Sequence, residues 1–202
     1  MQTNNVWEEM AARYDTAERT GIANRIARAV RDELKDTKEK TALDYGCGTG
    51  LVGLQLVGLF ESMLLVDPSA QMVEQVQRKI DAGHIQGAAT LCCDFLEKTP
   101  DALQVDYVIM SQVLLHIKDT RLILSKLYPI LKPDGHLLIV DFDKNNAVVS
   151  DKIHNGFDAK ALIRLLEEVG FAAAAAHTFH YGKAIFMNQD ASLFILNAAR
   201  AL

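Results

Sequence analysis

The chain of 202 residues is 50% hydrophobic and 23% charged, with a formal net charge of −5. These values are typical of a folded globular protein and exclude a disordered one. The negative charge also argues against nucleic acid as a partner, because proteins that grip phosphate backbones carry a surplus of lysine and arginine. The length predicts one domain over residues 1–202.

The N-terminus and the apolar segments give no sign of export or membrane insertion. Residues 1–10 have neither a basic start nor an apolar core, so no signal peptide is predicted. The most apolar stretch, residues 51–60, falls well below the roughly 18 residues that a spanning helix needs. Cys47, Cys92 and Cys93 form no C-x-x-C pair and are interpreted as buried thiols. The expected location is cytoplasmic, with no membrane partner.

The first half of the chain alternates between helical and strand-like patterns. Apolar residues recur every four positions from Ile22 to Leu34, which predicts an amphipathic helix. The segments that follow are predicted, in chain order, as a strand at 41–45, a helix at 51–60, a strand at 63–66, a helix at 69–80, and strands at 88–93 and 105–110. Apolar strands separated by helices are typical of a parallel sheet covered on both faces.

The second half continues the alternation and ends in two strands. The remaining elements are predicted as a helix at 120–131, a turn at 132–135, a strand at 135–142, a helix at 158–169 closed by Gly170, and strands at 171–180 and 191–198. No helix-length segment separates the last two strands, so an antiparallel hairpin is expected. The predicted fold class is α/β: a Rossmann-like, doubly wound, mostly parallel seven-stranded sheet with helices on both faces and a C-terminal antiparallel hairpin.

The segment from Asp44 to Gly50 joins the first strand of the sheet to the element after it. Its glycines, Gly46, Gly48 and Gly50, let the backbone turn sharply and pass close to a ligand at the carboxyl end of the strand. A cofactor site is therefore predicted here. Residues 48–53 also match the G-x-G-x-x-G spacing of dinucleotide-binding proteins, so two classes of cofactor compete.

Three acidic residues favour S-adenosylmethionine over a dinucleotide. Asp44 lies two residues before the first glycine, where a carboxylate attracts a cationic amino group and repels a pyrophosphate. Asp67 ends the next strand and can accept both ribose hydroxyls, which either cofactor class requires. Asp94 follows the third strand with Phe95 beside it, a pair suited to the amino group and ring face of adenine.

In this order, over residues 40–142, these features resemble the class I S-adenosylmethionine-dependent methyltransferases. The resemblance implies a cofactor-binding core at 40–142, a helical lid at 1–35 and a part that completes the sheet at 143–202. It implies that the cofactor loop is formed by Gly46, Cys47, Gly48 and Gly50. Asp44 is then expected near the methionine end of the cofactor, and Asp67 with Pro68 on the ribose side. The adenine is expected to be surrounded by Asp94, Phe95 and Met72. Tyr14 in the lid is expected to reach the methionine carboxylate, unless it and Trp7 simply form one packed face.

The candidate residues on the acceptor side follow the fourth strand. The resemblance places the backbone of Ser111 near the methionine amino group. Small-molecule members of the family often carry two histidines at the positions of Leu115 and His116, and here only His116 remains. A neutral imidazole can accept a proton from a hydroxyl, thiol or amine, although a lone histidine is also a common structural residue. The histidines share no ligand spacing with paired acids, so no metal site is predicted.

The function predicted from these features is methyl transfer from S-adenosylmethionine to an unidentified acceptor, with S-adenosylhomocysteine as the second product. The absence of a large second domain favours a small-molecule acceptor. Two alternatives stay open: a non-catalytic protein that binds S-adenosylmethionine, and an NAD- or FAD-dependent oxidoreductase that uses the 48–53 spacing. The acceptor, the atom methylated and the oligomeric state do not follow from the sequence.

Overall fold

A computed structural model describes residues 3–201 of the chain. They form two compact units, the first ending at Asp101 and the second beginning at Ala102. The strands of both units belong to one seven-stranded sheet in the order β3-β2-β1-β4-β5-β7-β6. This sheet confirms the predicted fold class, whereas the prediction of a single domain over residues 1–202 stays a prediction.

The first unit contains three parallel strands and three helices. Its elements are α1 (Thr3–Met10), α2 (Ala17–Glu33), β1 (Thr41–Tyr45), β2 (Ser62–Asp67), α3 (Ala70–Gly83) and β3 (Ala88–Cys92). Polar caps fix where two of the helices begin: the Thr16 hydroxyl accepts the Arg19 N–H, and the Ser69 hydroxyl accepts the Met72 N–H. β2 pairs in parallel with β1 on one side and β3 on the other, so the carboxyl ends of all three lie at one edge.

The helix predicted at residues 51–60 is wrong. The segment instead forms two short 3-10 turns, Gly53–Gln55 and Val57–Leu59. A Cβ atom on Gly53 would lie 2.2 Å from Oδ2 of Asp44, so the backbone passes against that carboxylate. This close approach, and the low helix propensity of the two glycines in the segment, outweigh its helix-compatible leucines.

The second unit contains the remaining four strands and two helices. Its elements are β4 (Val105–Ser111), α4 (Thr120–Leu127), β5 (Leu131–Phe142), α5 (Ala159–Val169), β6 (Phe171–Phe186) and β7 (Gln189–Arg200). β4 and β5 pair in parallel, and β7 pairs antiparallel with both β5 and β6. The hairpin of β6 and β7 is longer than predicted, and the alanine run at 172–176 is a strand, as expected.

Two predicted boundaries in the second unit need correction. α4 ends at Leu127 rather than at Leu131, and a 3-10 turn from Tyr128 to Ile130 follows it. Pro129 explains the early end, because its ring nitrogen cannot donate the next helical hydrogen bond. The turn predicted at 132–135 lies inside β5 as a bulge, since Val105 pairs with Leu131 while Tyr107 pairs with His136.

The prediction of three buried thiols is correct for one cysteine. Cys47 is buried, whereas Cys92 is exposed and Cys93 is half-buried. Cys92 ends β3, the outermost strand of its side of the sheet, and Cys93 follows it, which explains their exposure. Within residues 3–201, no helix is long and apolar enough to cross a membrane.

Candidate cofactor site

The carboxyl ends of β1, β2 and β3 bring three acidic residues of the first unit to one edge of the sheet. Asp44 is the penultimate residue of β1, Asp67 is the last residue of β2, and Asp94 follows β3 by two residues. Asp67 pairs with Cys92 in the register of β2 and β3. Ligands of open α/β sheets bind outside the carboxyl ends of the strands, so this edge is the candidate site.

The loop after β1 is held in a left-handed conformation at its three glycines. The φ angles of Gly46, Gly48 and Gly50 are 73°, 53° and 79°. Other residues are strained in this region, which explains why glycine stands at these positions. The N–H groups of Gly46 and Cys47 both donate to the carbonyl oxygen of Val66, at 2.8 and 2.9 Å, and fasten the loop to the end of β2.

Asp44 is a fully buried carboxylate without a partner. Its residue is 1% exposed, and neither of its oxygens has a hydrogen-bond partner in the part of the chain that the structure describes. Burial raises the pKa of Asp44 to about 7, and the negative charge of Asp67 adds to this rise. The nearby backbone N–H of Gly53 acts in the opposite direction, although it does not meet the geometry of a hydrogen bond. A buried orphan carboxylate is costly, so it indicates a position that a cationic or N–H-bearing ligand completes.

Asp67 is organised by the loop and by the start of α3. Its Oδ2 accepts the Gly48 N–H at 2.9 Å and its Oδ1 accepts the Ser69 N–H at 2.9 Å. Each carboxylate oxygen offers two acceptor positions, so one on each oxygen is left for a ligand. Pro68 lies between β2 and the Ser69 cap of α3. Burial is the main cause that raises the pKa of Asp67, and the two backbone N–H groups oppose it.

The residues predicted around the adenine differ in exposure. Asp94 is half-buried and its Oδ1 accepts the Leu96 N–H at 2.9 Å, as in a turn-capping aspartate. Phe95 is fully buried and packs against Tyr45 with ring centroids 4.9 Å apart. Met72 is 2% exposed, within the core side of α3. Their assignment to the adenine stays a prediction.

Cys47 and Tyr14 complete the set predicted in this unit. Burial raises the pKa of the Cys47 thiol well above its ordinary value, so the thiol is protonated and unreactive at neutral pH. Tyr14 lies over the loop, since a Cβ atom on Gly48 would be 3.9 Å from Cε1 of its ring. Burial is also the main cause that raises the pKa of Tyr14, which keeps its hydroxyl protonated and able to donate.

Sequence reasoning missed two acidic residues, Glu8 and Asp15, that join the N-terminal segment to this edge. Glu8 accepts the N–H groups of Ala70 and Gln71 at the start of α3. Asp15 accepts the Thr49 hydroxyl and pairs with the Lys79 ammonium at 2.6 Å. No local pattern marks these contacts, because the partners are more than thirty residues apart in sequence.

The second unit carries the acceptor-side candidates, Ser111 and His116. Ser111 ends β4, and the next residue, Gln112, has a left-handed backbone whose N–H donates to Val140 at 2.7 Å. His116 ends a short 3-10 turn that begins at Leu114. Desolvation by its surroundings lowers the pKa of His116 to about 4, although the residue keeps an exposed face. Its imidazole is therefore neutral at pH 7.

Asp141 holds the loop that carries His116, and it was not predicted. This fully buried residue accepts the N–H groups of Leu115 at 3.0 Å and Phe142 at 2.8 Å. His154 adds two contacts to the same loop. Its backbone N–H donates to the Leu115 carbonyl oxygen, and its ring Nε2 lies 2.9 Å from the Ile117 carbonyl oxygen. An acidic residue inside the apolar run of β5 is the sequence signal that could have revealed Asp141.

An open cavity of about 590 Å³ lies in the second unit, beyond the carboxyl end of β5. The segment 143–145 and the β6–β7 hairpin line it, and its side chains include Asp143, Tyr181, Lys183 and Ser192. Asp143 accepts the hydroxyls of Thr178 and Ser192 at 2.9 and 2.6 Å. Across residues 3–201, no group of three or more histidine, cysteine, aspartate or glutamate side chains is placed to hold a metal ion.

The doubly wound sheet and the loop at the end of β1 define a nucleotide-type cofactor domain. A methyltransferase domain family model matches residues 14–176. The chain therefore belongs to this family, and the predicted membership of the class I S-adenosylmethionine-dependent methyltransferases is confirmed. S-adenosylmethionine is the cofactor of that class, as predicted.

The chain is similar to proteins named as O-methyltransferases. It is 33% identical over 168 residues to the O-methyltransferase cnsE of Penicillium expansum, covering 80% of this chain and 55% of that protein. It is 27% identical over 103 residues to a ubiquinone biosynthesis O-methyltransferase of Rhodopseudomonas palustris, covering 51% of this chain and 40% of that protein. The chain thus spans about half the length of these relatives or less.

Solved structures share the fold. Phosphoethanolamine N-methyltransferase 2 of Haemonchus contortus, solved with phosphomonomethylethanolamine and S-adenosylhomocysteine, aligns with a TM-score of 0.72 at 17% identity. The alignment covers 89% of this chain and 52% of that one. The residues at the edge of the first unit are compatible with S-adenosylmethionine, because the Asp44 carboxylate beside the glycine loop lacks a partner that a cationic amino group would supply, and Asp67 retains acceptor positions that ribose hydroxyls would fill.

Proposed function

We propose that this protein transfers a methyl group from S-adenosylmethionine to a hydroxyl group of a small molecule. The observation that carries the proposal is the buried Asp44 carboxylate, which has no hydrogen-bond partner in residues 3–201 and lies beside the glycine loop. A pyrophosphate would be repelled at this position, whereas an α-ammonium group would neutralise it. The proposal therefore favours S-adenosylmethionine over NAD or FAD.

The roles of the other residues follow from their contacts. Asp67 is held by two backbone N–H groups and offers its remaining lone pairs to the two ribose hydroxyls. Tyr14 covers the loop at Gly48, and its hydroxyl, being protonated, would donate to the methionine carboxylate of a bound cofactor. Asp94 and the backbone of Ser111 are assigned to the adenine and to the methionine amino group on family resemblance.

The protein's main contributions to methyl transfer are the alignment of the acceptor with the methyl group and the exclusion of water from the site. S-adenosylmethionine supplies an electrophilic methyl group on a sulfonium that becomes a neutral thioether. The chain contributes by holding its acceptor in line and by desolvating the site. A general base is needed only to remove the acceptor's proton.

The lowered pKa of His116 is compatible with a role as a base. With a pKa of about 4, its imidazole is neutral at pH 7 and can accept a proton from the acceptor. This property does not distinguish a hydroxyl from an amine. The hydroxyl acceptor is supported by the relatives, which are named as O-methyltransferases.

Isothermal titration of the purified chain with S-adenosylmethionine, S-adenosylhomocysteine and NAD tests the cofactor half of the proposal. Binding of the first two, weakened about hundredfold by Asp67→Ala through loss of the ribose contacts, is expected. No binding, or a preference for NAD, would overturn it. Production of S-adenosylhomocysteine is then measured with a panel of catechols, phenols and matched amines; turnover on none of them would favour the non-catalytic alternative.

A further inference from the structure

The N-terminal segment from Trp7 to Arg19, here called the lid segment, is fastened at two points to the elements that carry the cofactor site. The first point is Glu8. Its Oε1 accepts the Ala70 N–H at 2.9 Å and its Oε2 accepts the Gln71 N–H at 3.0 Å. N–H groups in the first turn of a helix have no partner within the helix, and a carboxylate there is also favoured by the helix dipole. Glu8 thus caps the N-terminus of α3, which begins shortly after Asp67 and Pro68 in the chain.

The second point is Asp15, which reaches the glycine loop itself. One oxygen of Asp15 accepts the Thr49 hydroxyl, and the other pairs with the Lys79 ammonium at 2.6 Å. Lys79 also donates to the Thr49 carbonyl oxygen at 2.6 Å. Thr49 is 1% exposed and lies between Gly48 and Gly50. Both the side chain and the backbone of this loop residue are therefore held by the lid segment and α3.

The part of the lid segment between the two anchors places Tyr14 over the loop. The Arg19 guanidinium lies 4.3 Å from the centroid of the Tyr14 ring and donates to the Tyr14 carbonyl oxygen at 3.0 Å. Trp7 packs edge-on against the same ring, with centroids 6.4 Å apart. Moving the lid segment away from the glycine loop therefore requires the contacts of Glu8 and Asp15 to break.

We propose that Glu8 and Asp15 are positioning residues for the cofactor. They hold the lid segment closed over the glycine loop and so control how fast the cofactor leaves, while making no contact with it. This inference rests on the proposed function, in that the molecule retained is S-adenosylmethionine. It goes beyond that function because it assigns the closing of the site to two carboxylates, Glu8 and Asp15. These carboxylates bind the start of α3 and Thr49 of the glycine loop.

The lid segment contains its own reporter, since Trp7 is the single tryptophan of the chain. Acrylamide quenching of Trp7 in the ligand-free protein therefore measures closure without any enzyme assay. Glu8→Gln and Asp15→Asn are expected to raise the quenching constant about twofold, and the double variant more. Release of radiolabelled S-adenosylmethionine after dilution is expected to become about tenfold faster in each single variant.

Matched controls separate anchoring from a general change of charge. Glu9→Gln and Glu18→Gln remove the same charge from exposed positions of the same segment and are expected to behave as the unaltered protein. Thr49→Val removes the hydroxyl that Asp15 accepts and is expected to reproduce Asp15→Asn, whereas Thr49→Ser restores it.

Two results would overturn the inference. The first is unchanged Trp7 quenching and unchanged release in Glu8→Gln and Asp15→Asn. The second is an equal effect of the control variants. Failure of the unaltered protein to bind S-adenosylmethionine would instead remove the proposed function, and the quenching of Trp7 in the ligand-free variants would still decide whether the two carboxylates close the lid segment.

Discussion

Asp44 of the first unit and Asp141 of the second occupy equivalent positions in two parallel strands. Each is the penultimate residue of its strand, β1 or β5, and each is essentially buried. Burial raises the pKa of both carboxyls to about 7. Their partners differ: Asp141 accepts the N–H groups of Leu115 and Phe142, whereas Asp44 has no hydrogen-bond partner among residues 3–201.

The difference shows that burial and a raised pKa do not by themselves identify a ligand site. Asp141 uses its oxygens to fix the backbone of the loop that carries His116, which is a structural task. The Asp44 oxygens have no hydrogen-bond partner in residues 3–201, and the proposed function assigns them to the ammonium group of S-adenosylmethionine. The hydrogen-bond partners of the two carboxyls separate their roles, whereas their raised pKa does not.

The largest expected effect comes from Asp44→Asn. Loss of the carboxylate leaves the ammonium group of S-adenosylmethionine without its counter-charge, and affinity is expected to fall about hundredfold. The same variant is expected to raise the unfolding free energy of the ligand-free protein at pH 8 by about 2 kcal/mol, because it removes an unpaired buried charge. Titration calorimetry and urea unfolding measure the two quantities. Lower stability together with intact affinity would show that Asp44 is a structural residue.

Gly53→Ala is expected to disturb the same carboxylate from the other side. The added Cβ atom would lie 2.2 Å from Oδ2 of Asp44 and 2.9 Å from Cδ2 of Leu65, so the backbone or the carboxylate must move. A loss of about 2 kcal/mol in unfolding free energy is expected from such overpacking, with weaker cofactor binding. Gly58→Ala is the matched control, because nothing lies within 4 Å of a Cβ atom there. Equal stability of the two variants would contradict the crowding of Gly53 against Asp44.

Asp141→Asn is expected to act locally, on the loop that ends at His116. An asparagine offers one acceptor oxygen in place of two, so either Leu115 or Phe142 loses its hydrogen-bond partner. Amide hydrogen exchange in residues 114–117 or at Phe142 is expected to become about tenfold faster. Affinity for S-adenosylmethionine is expected to change less than about threefold, since these oxygens already serve the chain's own backbone. A hundredfold loss of affinity would instead place Asp141 with Asp44 as a ligand-binding carboxylate.

The last expected effect is the pH dependence of cofactor binding. Because the pKa of Asp44 is about 7, its proton must leave before an ammonium group is bound, and affinity is expected to rise about tenfold from pH 6 to pH 8. Stability of the ligand-free protein changes in the opposite direction. A pKa raised above 3.8 contributes stability that is fully present below that value and is lost as the pH rises through about 7. Asp44→Asn is expected to flatten both trends, and a slope retained in that variant would assign the titration to another group.

The sequence was sufficient for the class of fold and for most of the cofactor edge. Apolar strands alternating with helices predicted the doubly wound sheet, and the seven strands form it, although no regular helix separates β1 from β2. The positions of Asp44, Asp67 and Asp94 after successive strands predicted their meeting at one edge, because carboxyl ends of parallel strands lie together. The left-handed φ angles at Gly46, Gly48 and Gly50 agree with the reason for predicting a loop there.

Local patterns failed where distant contacts decide the structure. Residues 51–60 have helix-compatible leucines, yet the passage of Gly53 against Asp44 prevents a regular helix. The contacts of Glu8 with α3 and of Asp15 with Thr49 join residues far apart in sequence, so no periodicity or motif reports them.

The sequence by itself determined the chain order of the strands, the glycine loop and the acidic residues proposed for the cofactor site, because hydrophobic periodicity and glycine placement act over a few residues. Only the tertiary structure decided that Asp44 lacks a partner while Asp141 has two, and that Glu8 and Asp15 fasten the lid segment. Burial and hydrogen bonding depend on which distant groups the fold brings within about 3 Å of a side chain, and that distance is set by the packed chain as a whole.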